Sequence, residues 1–241
     1  MRVVQTDKKL VLWDIDHTLI SLRGFGRMIY GEAFLSVTGQ PMREAADLTM
    51  GGTDRAMSAE MLRSHGIADP TGALLESLGG ALAEAFVRYE AGLGEYGGIL
   101  AGAVDALTAL AGRDDVIQSV LTGNMEPIAI GKLRAFGLDR YVDFAAGAYG
   151  MDHEDRPELV RMAQERAAVK YGGPFTGVNT VLIGDTPNDV RAGRLGGARV
   201  VAVATGSCDA DMLRAAGADL ILPDLADTEQ VIAAVLGTAA R

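Results

Sequence analysis

The chain has 241 residues, 49% of them hydrophobic and 22% charged, which is typical of a folded domain with room for an inserted module rather than of a disordered chain. A net charge of -10 argues against nucleic acid or an anionic membrane as the main partner. The single cysteine, Cys208, excludes an internal disulfide framework and fits a reducing compartment. Since the sequence contains neither a long apolar run nor the pattern of a signal peptide, we expect a cytoplasmic protein.

The first predicted strand ends in two aspartates that are one residue apart. An apolar run at 10–13 is followed by Asp14, Ile15 and Asp16. Two carboxylates at the end of a buried strand are costly unless a cation or strong hydrogen-bond donors compensate them. In an open α/β sheet, ligands bind at the carboxyl ends of the strands. This segment therefore predicts a site for a divalent metal and an anionic substrate.

The residues from about 21 to 97 carry helical patterns and no convincing strand. The candidate helices lie near 28–38, 53–65 and 74–89. Glycine pairs that are typical of turns or hinges occur at 51–52, 79–80 and 97–98. Because this block follows the first strand and precedes the others, we predict an inserted all-helical cap domain at 21–97 and a core formed by 1–20 and 98–241.

The C-terminal half alternates β-rich runs with helical segments. Strands are predicted at 116–121, 141–145, 179–183, 199–203 and 219–222. Helices are predicted at 127–136, 158–171 and 187–195. Thr186 is the expected cap of the last helix, with Pro187 in its first position. The alternation predicts an α/β fold whose core is a Rossmann-like, doubly wound parallel sheet.

Polar side chains follow three of the predicted strands. In chain order they are Asp14 and Asp16, then Thr122, Gly123 and Asn124, then Asp185 and Asp189. The carboxyl ends of parallel strands lie along one edge of a sheet, so we expect these residues to converge. Carboxylate oxygens suit Mg²⁺, and a hydroxyl beside free backbone N–H groups suits a phosphate oxygen. This set favours phosphoryl transfer, in which positioning and charge neutralisation supply most of the catalysis.

These motifs, in this order, resemble those of the haloacid dehalogenase (HAD) superfamily, and most closely its helical-capped, phosphoglycolate phosphatase-like members. The matching positions are 14–18, Thr122, Arg156 and 184–189. The resemblance implies an Mg²⁺-dependent phosphatase that hydrolyses a small phosphate monoester, phosphoglycolate-like or a sugar phosphate, through an aspartyl-phosphate intermediate.

The resemblance also implies catalytic and metal-binding roles for the matched aspartates. Asp14 is expected to attack phosphorus, and Asp16 to protonate the leaving oxygen and then activate water. Mg²⁺ is expected between the Asp14 carboxylate, the backbone carbonyl of Asp16, and Asp185. Asp189 is expected behind these ligands or bridged to the metal by water.

Phosphate binding is expected from Thr122 with the N–H of Gly123, and from the basic residue of the third motif. This residue is more often Lys in the family. We favour Arg156, because Arg stays charged and can form paired hydrogen bonds with phosphate. The rival is Lys132, whose position inside the helix after Thr122 predicts a solvated surface side chain.

Further candidates for contact with the substrate lie next to Asp16 and in the predicted cap. His17 stands where related phosphatases usually carry Gly, and it either faces the substrate or packs against the cap. The turn at 51–55 resembles the cap loop that approaches the substrate in helical-capped phosphatases, which makes Thr53, Asp54 and Arg55 candidates. Arg55 is the best of them for a second anionic group, whereas Thr53 is equally explained as a helix N-cap.

Two related reactions are disfavoured by particular residues. Dehalogenases of the superfamily lack the second aspartate, which is present here as Asp16. Phosphonoacetaldehyde hydrolases need a cap lysine, and there is no Lys between Lys9 and Lys132. Two alternatives stay open, namely a phosphomutase acting on a sugar phosphate and a non-catalytic HAD-fold regulatory or binding module. The expected partner is a small-molecule phosphate ester rather than nucleic acid or membrane, and the chain is compatible with a monomer or a homodimer.

Overall fold

A parallel β-sheet with helices on both faces forms the centre of the structure, a computed structural model that describes residues 8–43, 51–69 and 71–238. Residues 1–7 of the predicted core and 44–50 of the predicted cap lie outside the described residues. In chain order the strands are β1 (Lys9–Trp13), β2 (Ile20–Leu22), β3 (Gly97–Ile99), β4 (Val116–Val120), β5 (Thr180–Gly184), β6 (Arg199–Val203) and β7 (Leu220–Leu222). The sheet order is β4-β1-β5-β6-β7, and every neighbouring pair in it is parallel.

Three consecutive helices lie between β2 and β3, and the other helices lie between or after the later strands. They are α1 (Phe25–Thr38), α2 (Asp54–Ser64), α3 (Ala73–Tyr89), α4 (Ala103–Ala111), α5 (Glu126–Ala135), α6 (Arg156–Tyr171), α7 (Pro187–Gly196), α8 (Ala210–Ala216) and α9 (Thr228–Leu236). None of the helices in the described ranges is long and apolar enough to cross a lipid bilayer.

Strand β1 lies inside the sheet, between β4 and β5, and is covered on both faces. Val11 and Trp13 share one hydrophobic cluster with side chains of α4, α5 and α9. Leu10 and Leu12 point to the opposite face and share a second cluster with α6 and α7. A strand that is covered on both sides is expected to be continuously apolar, as this one is. The predicted α/β fold with a doubly wound, Rossmann-like parallel sheet is confirmed.

An antiparallel ribbon of β2 and β3 brackets the segment that contains α1, α2 and α3. Leu22 pairs with Gly97, and Ser21 pairs with Gly98. A Cβ atom on Gly97 would lie 1.8 Å from the carbonyl oxygen of Ser21, so the close approach of the two strands requires glycine there. The expectation of no strand at 21–97, and of a turn at 97–98, is therefore wrong at the edges of this segment.

The three helices between these strands agree with the sequence predictions in place and length. Gly79 and Gly80 are an exception, because they lie inside α3 instead of forming a turn. The division of the chain into a core at 1–20 and 98–241 and a cap at 21–97 stays a prediction.

The predicted strand at 141–145 is wrong. This stretch contains two short 3₁₀ turns, Asp139–Tyr141 and Phe144–Ala146. The side chain of Asp143 accepts a hydrogen bond from the N–H of Ala145, which stabilises a turn locally and competes with strand pairing.

Candidate active site

Three carboxylates meet at the carboxyl edge of the sheet. Asp14 follows β1 and Asp185 follows β5, and these neighbouring strands pair in parallel register. Asp189 reaches the same place from the first turn of α7. One carboxylate oxygen from each of the three lies within 4.8 Å of the others. We call Asp14, Asp185 and Asp189 the acidic cluster.

The N-terminus of α7 fixes the position of Asp189. Thr186 is the N-cap, and its hydroxyl accepts from the N–H of Asp189 at 3.2 Å. In return, Oδ2 of Asp189 accepts from the N–H and the hydroxyl of Thr186 at 3.0 and 2.6 Å. The predicted cap at Thr186, with Pro187 in the first helical position, is confirmed as a reciprocal capping box.

Arg156 is the cation that contacts the acidic cluster. It begins α6, and only 5% of the residue is exposed. Its Nη2 donates to Asp14 at 2.9 Å and to Asp189 at 2.6 Å, while its Nη1 donates to the carbonyl of Gly51 at 2.9 Å. Arg156 thus joins the acidic cluster to the turn that precedes α2.

Burial and mutual repulsion raise the pKa values of two members of the acidic cluster, Asp14 and Asp185. Burial raises the pKa of Asp14 to about 7, assisted by the charge of Asp189 and opposed by that of Arg156. Burial likewise raises the pKa of Asp185 to about 8, with the charges of Asp14 and Asp189 acting in the same direction. Oδ1 of Asp185 is buried and has no hydrogen-bond partner among the described residues. A crowded set of oxygens with one unsatisfied member fits a hard divalent cation such as Mg²⁺.

The carboxylate of Asp16 has a different set of partners. Nζ of Lys132 lies 2.8 and 2.7 Å from its two oxygens, and Nδ2 of Asn124 lies 2.7 Å from Oδ2. Nζ of Lys132 also donates to Oδ1 of Asn124 at 2.8 Å. Burial alone would raise the pKa of Asp16, but the charge and hydrogen bonds of Lys132, with the hydrogen bond from Asn124, hold that pKa below its usual value. We call Lys132 and Asn124 the Asp16 clamp.

The predicted surface position of Lys132 is wrong. Only 5% of this residue is exposed, because the face of α5 that carries it turns toward the end of β1 instead of toward solvent. Burying an ammonium group requires a partner of opposite charge, and Asp16 is that partner.

Thr122 and Gly123 lie between the acidic cluster and the Asp16 clamp. Both are buried at the end of β4, and the hydroxyl of Thr122 accepts from the backbone N–H and the side-chain amide of Asn124 at 3.2 and 2.8 Å. A Cβ atom on Gly123 would lie 2.1 Å from the carbonyl oxygen of Gly52. Glycine is therefore needed where the turn before α2 crosses the end of β4.

Asp54 connects α1, α2 and the start of α5. Its Oδ2 accepts from the N–H of Met125 at 2.7 Å, its Oδ1 accepts from the hydroxyl of Tyr30, and its own N–H donates to the carbonyl of Gly123 at 2.7 Å. Burial raises the pKa of Asp54 to about 6, although the hydrogen bonds from Tyr30 and Met125 oppose the rise.

The two neighbours of Asp54 point elsewhere. The hydroxyl of Thr53 accepts from the N–H of Ala56 at 3.2 Å as the N-cap of α2, and it donates to the carbonyl of Glu154 at 3.1 Å. The guanidinium of Arg55 lies 4.0 Å from Glu76, with 38% of its side chain exposed. Neither residue lines the cavity described next.

Asp14 and Asp185 of the acidic cluster line one cavity of about 290 Å³ together with the Asp16 clamp. His17 lines its rim in the left-handed backbone region, with φ at +59°, which accounts for the usual presence of Gly at this position. The wall on the α1 and α2 side is formed by residues that the sequence analysis did not single out: Leu22, Phe25, Gly26, Arg27, Tyr30 and Met57. Gly26 and Tyr30 are four residues apart and so share one face of α1, but no local signal says that this face meets the strand ends.

Comparisons with known proteins agree with this architecture. Residues 156–228 match the family model of HAD-hydrolase-like proteins. The HAD-like hydrolase fold is the fold of this chain. The resemblance that the motifs indicate is therefore confirmed, while no curated protein matches the chain by sequence.

Solved structures with this fold extend over nearly the whole chain. A hydrolase from Pseudomonas syringae superposes with a TM-score of 0.66 at 22% identity, covering 95% of this chain and 99% of its own. CbbY from Rhodobacter sphaeroides, in complex with phosphate, gives a TM-score of 0.71 at 21% identity, with 91% and 96% covered. A predicted phosphoglycolate phosphatase from Haemophilus somnus gives 0.62 at 18% identity, with 95% and 100% covered. Identities this low show a shared fold.

Proposed function

We propose that this chain is an Mg²⁺-dependent phosphatase that hydrolyses a small phosphate monoester, phosphoglycolate-like or a sugar phosphate, through an aspartyl-phosphate intermediate. The observation that carries the proposal is the arrangement at the end of β1. Asp14 and Asp16 face one cavity, the first beside Asp185 and Arg156 and the second beside Lys132. Phosphoryl transfer through an aspartyl-phosphate uses a carboxylate nucleophile on one side of phosphorus and a proton donor at the leaving oxygen on the other.

Asp14, Asp185 and the backbone carbonyl of Asp16 would hold the metal ion. Asp189 is less suited to direct ligation, because its two oxygens already accept hydrogen bonds from Arg156 and Thr186. When bound, Mg²⁺ supplies positive charge against the negative charge of the cluster and of the phosphoryl oxygens.

Phosphate binding is assigned to Arg156, the hydroxyl of Thr122 and the N–H of Gly123. Nε of Arg156 is buried and has no hydrogen-bond partner within the described ranges, and the residue lines the cavity next to Asp14. A guanidinium can donate from two nitrogens at once, which suits phosphate recognition.

The proposed reaction has two displacements at phosphorus. In the first, Asp16 is protonated in the substrate complex, because the negative charge of the bound phosphate ester favours the neutral acid. An oxygen of Asp14 forms a bond to phosphorus while the ester P–O bond breaks, and the leaving oxygen takes that proton from Asp16. In the second, water attacks phosphorus and gives its proton to Asp16, and the bond between Asp14 and phosphorus breaks. The products are the alcohol and inorganic phosphate, and both aspartates return to their initial states.

The predicted cap at 21–97 would limit the substrate to small esters and exclude water during the first displacement. Asp54 and His17 line the cavity, and we assign them to contact with the leaving group. Thr53 and Arg55, which point away from the cavity, are left with structural roles.

The test is the release of inorganic phosphate, with Mg²⁺, from a panel of small phosphate esters that includes 2-phosphoglycolate and sugar phosphates. We expect release by the wild-type chain, suppression by EDTA, and a loss of about 10⁴-fold or more in Asp14→Asn. Phosphoryl transfer between sugar positions without release would favour the phosphomutase. Full activity in Asp14→Asn or in excess EDTA would refute the mechanism, and folded protein that binds Mg²⁺ but turns over no ester would favour a binding module.

A further inference from the structure

We infer that Lys132 and Asn124 are positioning residues, which hold the Asp16 carboxylate in the orientation needed for proton transfer at the leaving oxygen. The inference rests on the proposed function, and it assigns the clamp to the acid–base group rather than to the phosphate. The sequence alone offered Lys132 only as a rival phosphate ligand.

The hydrogen bonds of Lys132 account for all of its donors. An ammonium group has three N–H bonds, and Nζ has three acceptors at 2.7 to 2.8 Å, namely both oxygens of Asp16 and Oδ1 of Asn124. Donation to a phosphate oxygen would require one of these bonds to break. Arg156, on the Asp14 side, retains a buried N–H that no described residue accepts, so it is better placed for phosphate.

Asn124 completes the clamp from the second side. Its amide donates to Oδ2 of Asp16 at 2.7 Å and to the hydroxyl of Thr122 at 2.8 Å. Since its carbonyl oxygen accepts from Lys132, each of the two clamp residues fixes the other. The network therefore connects Asp16, through Asn124, to the hydroxyl assigned to phosphate binding.

A clamp is needed because Asp16 is the more open of the two aspartates. Its side chain is 36% exposed, against 8% for Asp14 and 6% for Lys132. An aspartate at a cavity wall can rotate about two side-chain torsions, and a proton-transfer group that rotates away spends less time in the reactive geometry. Bonds to both oxygens remove that freedom.

The experiment compares esters that need a proton on the leaving oxygen with one that does not. An alkyl phosphate leaves as an alcohol and requires the proton, whereas p-nitrophenyl phosphate releases a stable anion. In Lys132→Met, which keeps the length and removes the charge, we expect kcat/KM to fall about 100-fold for the alkyl ester and less than tenfold for the nitrophenyl ester. We expect the Kd of inorganic phosphate to change less than threefold.

Three further variants separate positioning from other roles. In Asn124→Ala, kcat/KM should again fall more for the alkyl ester than for the nitrophenyl ester, but by a smaller factor than in Lys132→Met. This variant keeps the test available if Lys132→Met fails to fold. Lys132→Arg, which keeps the charge and two-oxygen contact but cannot release its proton, should recover part of the alkyl-ester activity. Arg134→Met removes a charge from the exposed face of the same helix and should match the wild type with both esters.

The outcomes also distinguish the inference from the function on which it rests. An equal loss with both esters, together with weaker phosphate binding, would make Lys132 a phosphate ligand and overturn the inference. Wild-type rates in Lys132→Met and Asn124→Ala would overturn it too. Absence of turnover by the wild-type chain with every ester would instead refute the proposed function.

Discussion

The end of β1 has two sides that differ in charge balance. On the Asp14 side, three buried carboxylates lie together, and two of them, Asp14 and Asp189, contact the guanidinium of Arg156. The pKa values of Asp14 and Asp185 rise to about 7 and 8. On the Asp16 side, one carboxylate accepts hydrogen bonds from the ammonium of Lys132 and the amide of Asn124, and its pKa is lowered. The two aspartates have one residue between them.

The difference indicates which side needs a further cation. A cluster with more negative than positive charge is stabilised by a divalent ion, whereas a balanced pair is not. Substitutions on the Asp14 side and on the Asp16 side test this difference in charge balance.

The largest expected effect follows from removing the cation on the Asp14 side. In Arg156→Met, we expect the affinity for inorganic phosphate with Mg²⁺ to fall about 100-fold, because a charge-assisted hydrogen bond is lost. Isothermal titration calorimetry measures the phosphate affinity directly, and the affinity of Arg156→Lys should lie between those of Arg156→Met and the wild type. Arg191→Met removes an exposed arginine from α7 and should bind phosphate normally. Unchanged phosphate affinity in Arg156→Met would remove Arg156 from the phosphate site.

The second prediction concerns Mg²⁺ and pH. The pKa values of Asp14 and Asp185 are raised from 3.8 to about 7 and 8, so the stability that these protonated groups contribute is present below pH ~4 and is lost as the pH rises through the folded-state values. Mg²⁺ replaces protons at the upper end of this window. We expect it to raise the midpoint of thermal unfolding by about 5 °C at pH 8 and by less than half of that at pH 5.5.

Asp185→Asn is the matched control for the effect of Mg²⁺. It relieves the repulsion in the cluster and removes a proposed ligand, so the metal-dependent rise at pH 8 should disappear. An equal rise at both pH values, or an undiminished rise in this variant, would contradict the assignment of the metal to the acidic cluster.

The third prediction tests the Asp16 side, where the dependence on pH has the opposite sign. Since the pKa of Asp16 is lowered, its stabilisation is present above the unfolded value and is lost as the pH falls through the folded one. We expect Asp16→Asn to cost about 1–2 kcal/mol at pH 7, less than for a fully buried pair because Asp16 is 36% exposed. Urea unfolding at pH 7 and pH 3 measures the difference in free energy of unfolding between Asp16→Asn and the wild type, and this difference should be smaller at pH 3. A larger difference at pH 3 would contradict the pairing of Asp16 with Lys132.

The smallest effect is expected at Asp54, a buried carboxylate that belongs neither to the acidic cluster nor to the Asp16 clamp. Tyr30→Phe leaves Oδ1 of Asp54 without its donor and should lower the free energy of unfolding by about 1 kcal/mol. Tyr96→Phe is the matched control, because within the described ranges its hydroxyl donates to the sulfur of Met28 at 3.2 Å, a weak acceptor, and the substitution should lower the free energy of unfolding by less. Equal costs in urea unfolding would mean that the hydrogen bond of Tyr30 adds no specific stability.

The sequence was most informative where the signal is local. The apolar run before Asp14 and the Thr186, Pro187 and Asp189 cap each lie within a few residues, and both predict elements that the structure contains. The order of strands and helices follows from such signals. It in turn predicts a shared sheet edge, so the acidic residues could be brought together before any coordinates were known.

The errors concern contacts between distant segments. The sequence predicts Lys132 as a surface residue because helical spacing shows only which residues share a face of the helix. It does not show that this face packs against Asp16, which lies 116 residues earlier in the chain. The ribbon of β2 and β3 escaped notice because Ser21, Gly97 and Gly98 have poor strand propensity. Its pairing depends on a close backbone approach that only the folded chain reveals.

That ribbon has a consequence for protein engineering. Because Leu22 pairs with Gly97, the chain enters and leaves the segment that carries α1, α2 and α3 at two adjacent points. Any segment that replaces the one between β2 and β3 must therefore bridge the same short distance. A short hairpin loop is the minimal graft at this junction. The ribbon makes the segment a natural site for recombination between members of the fold.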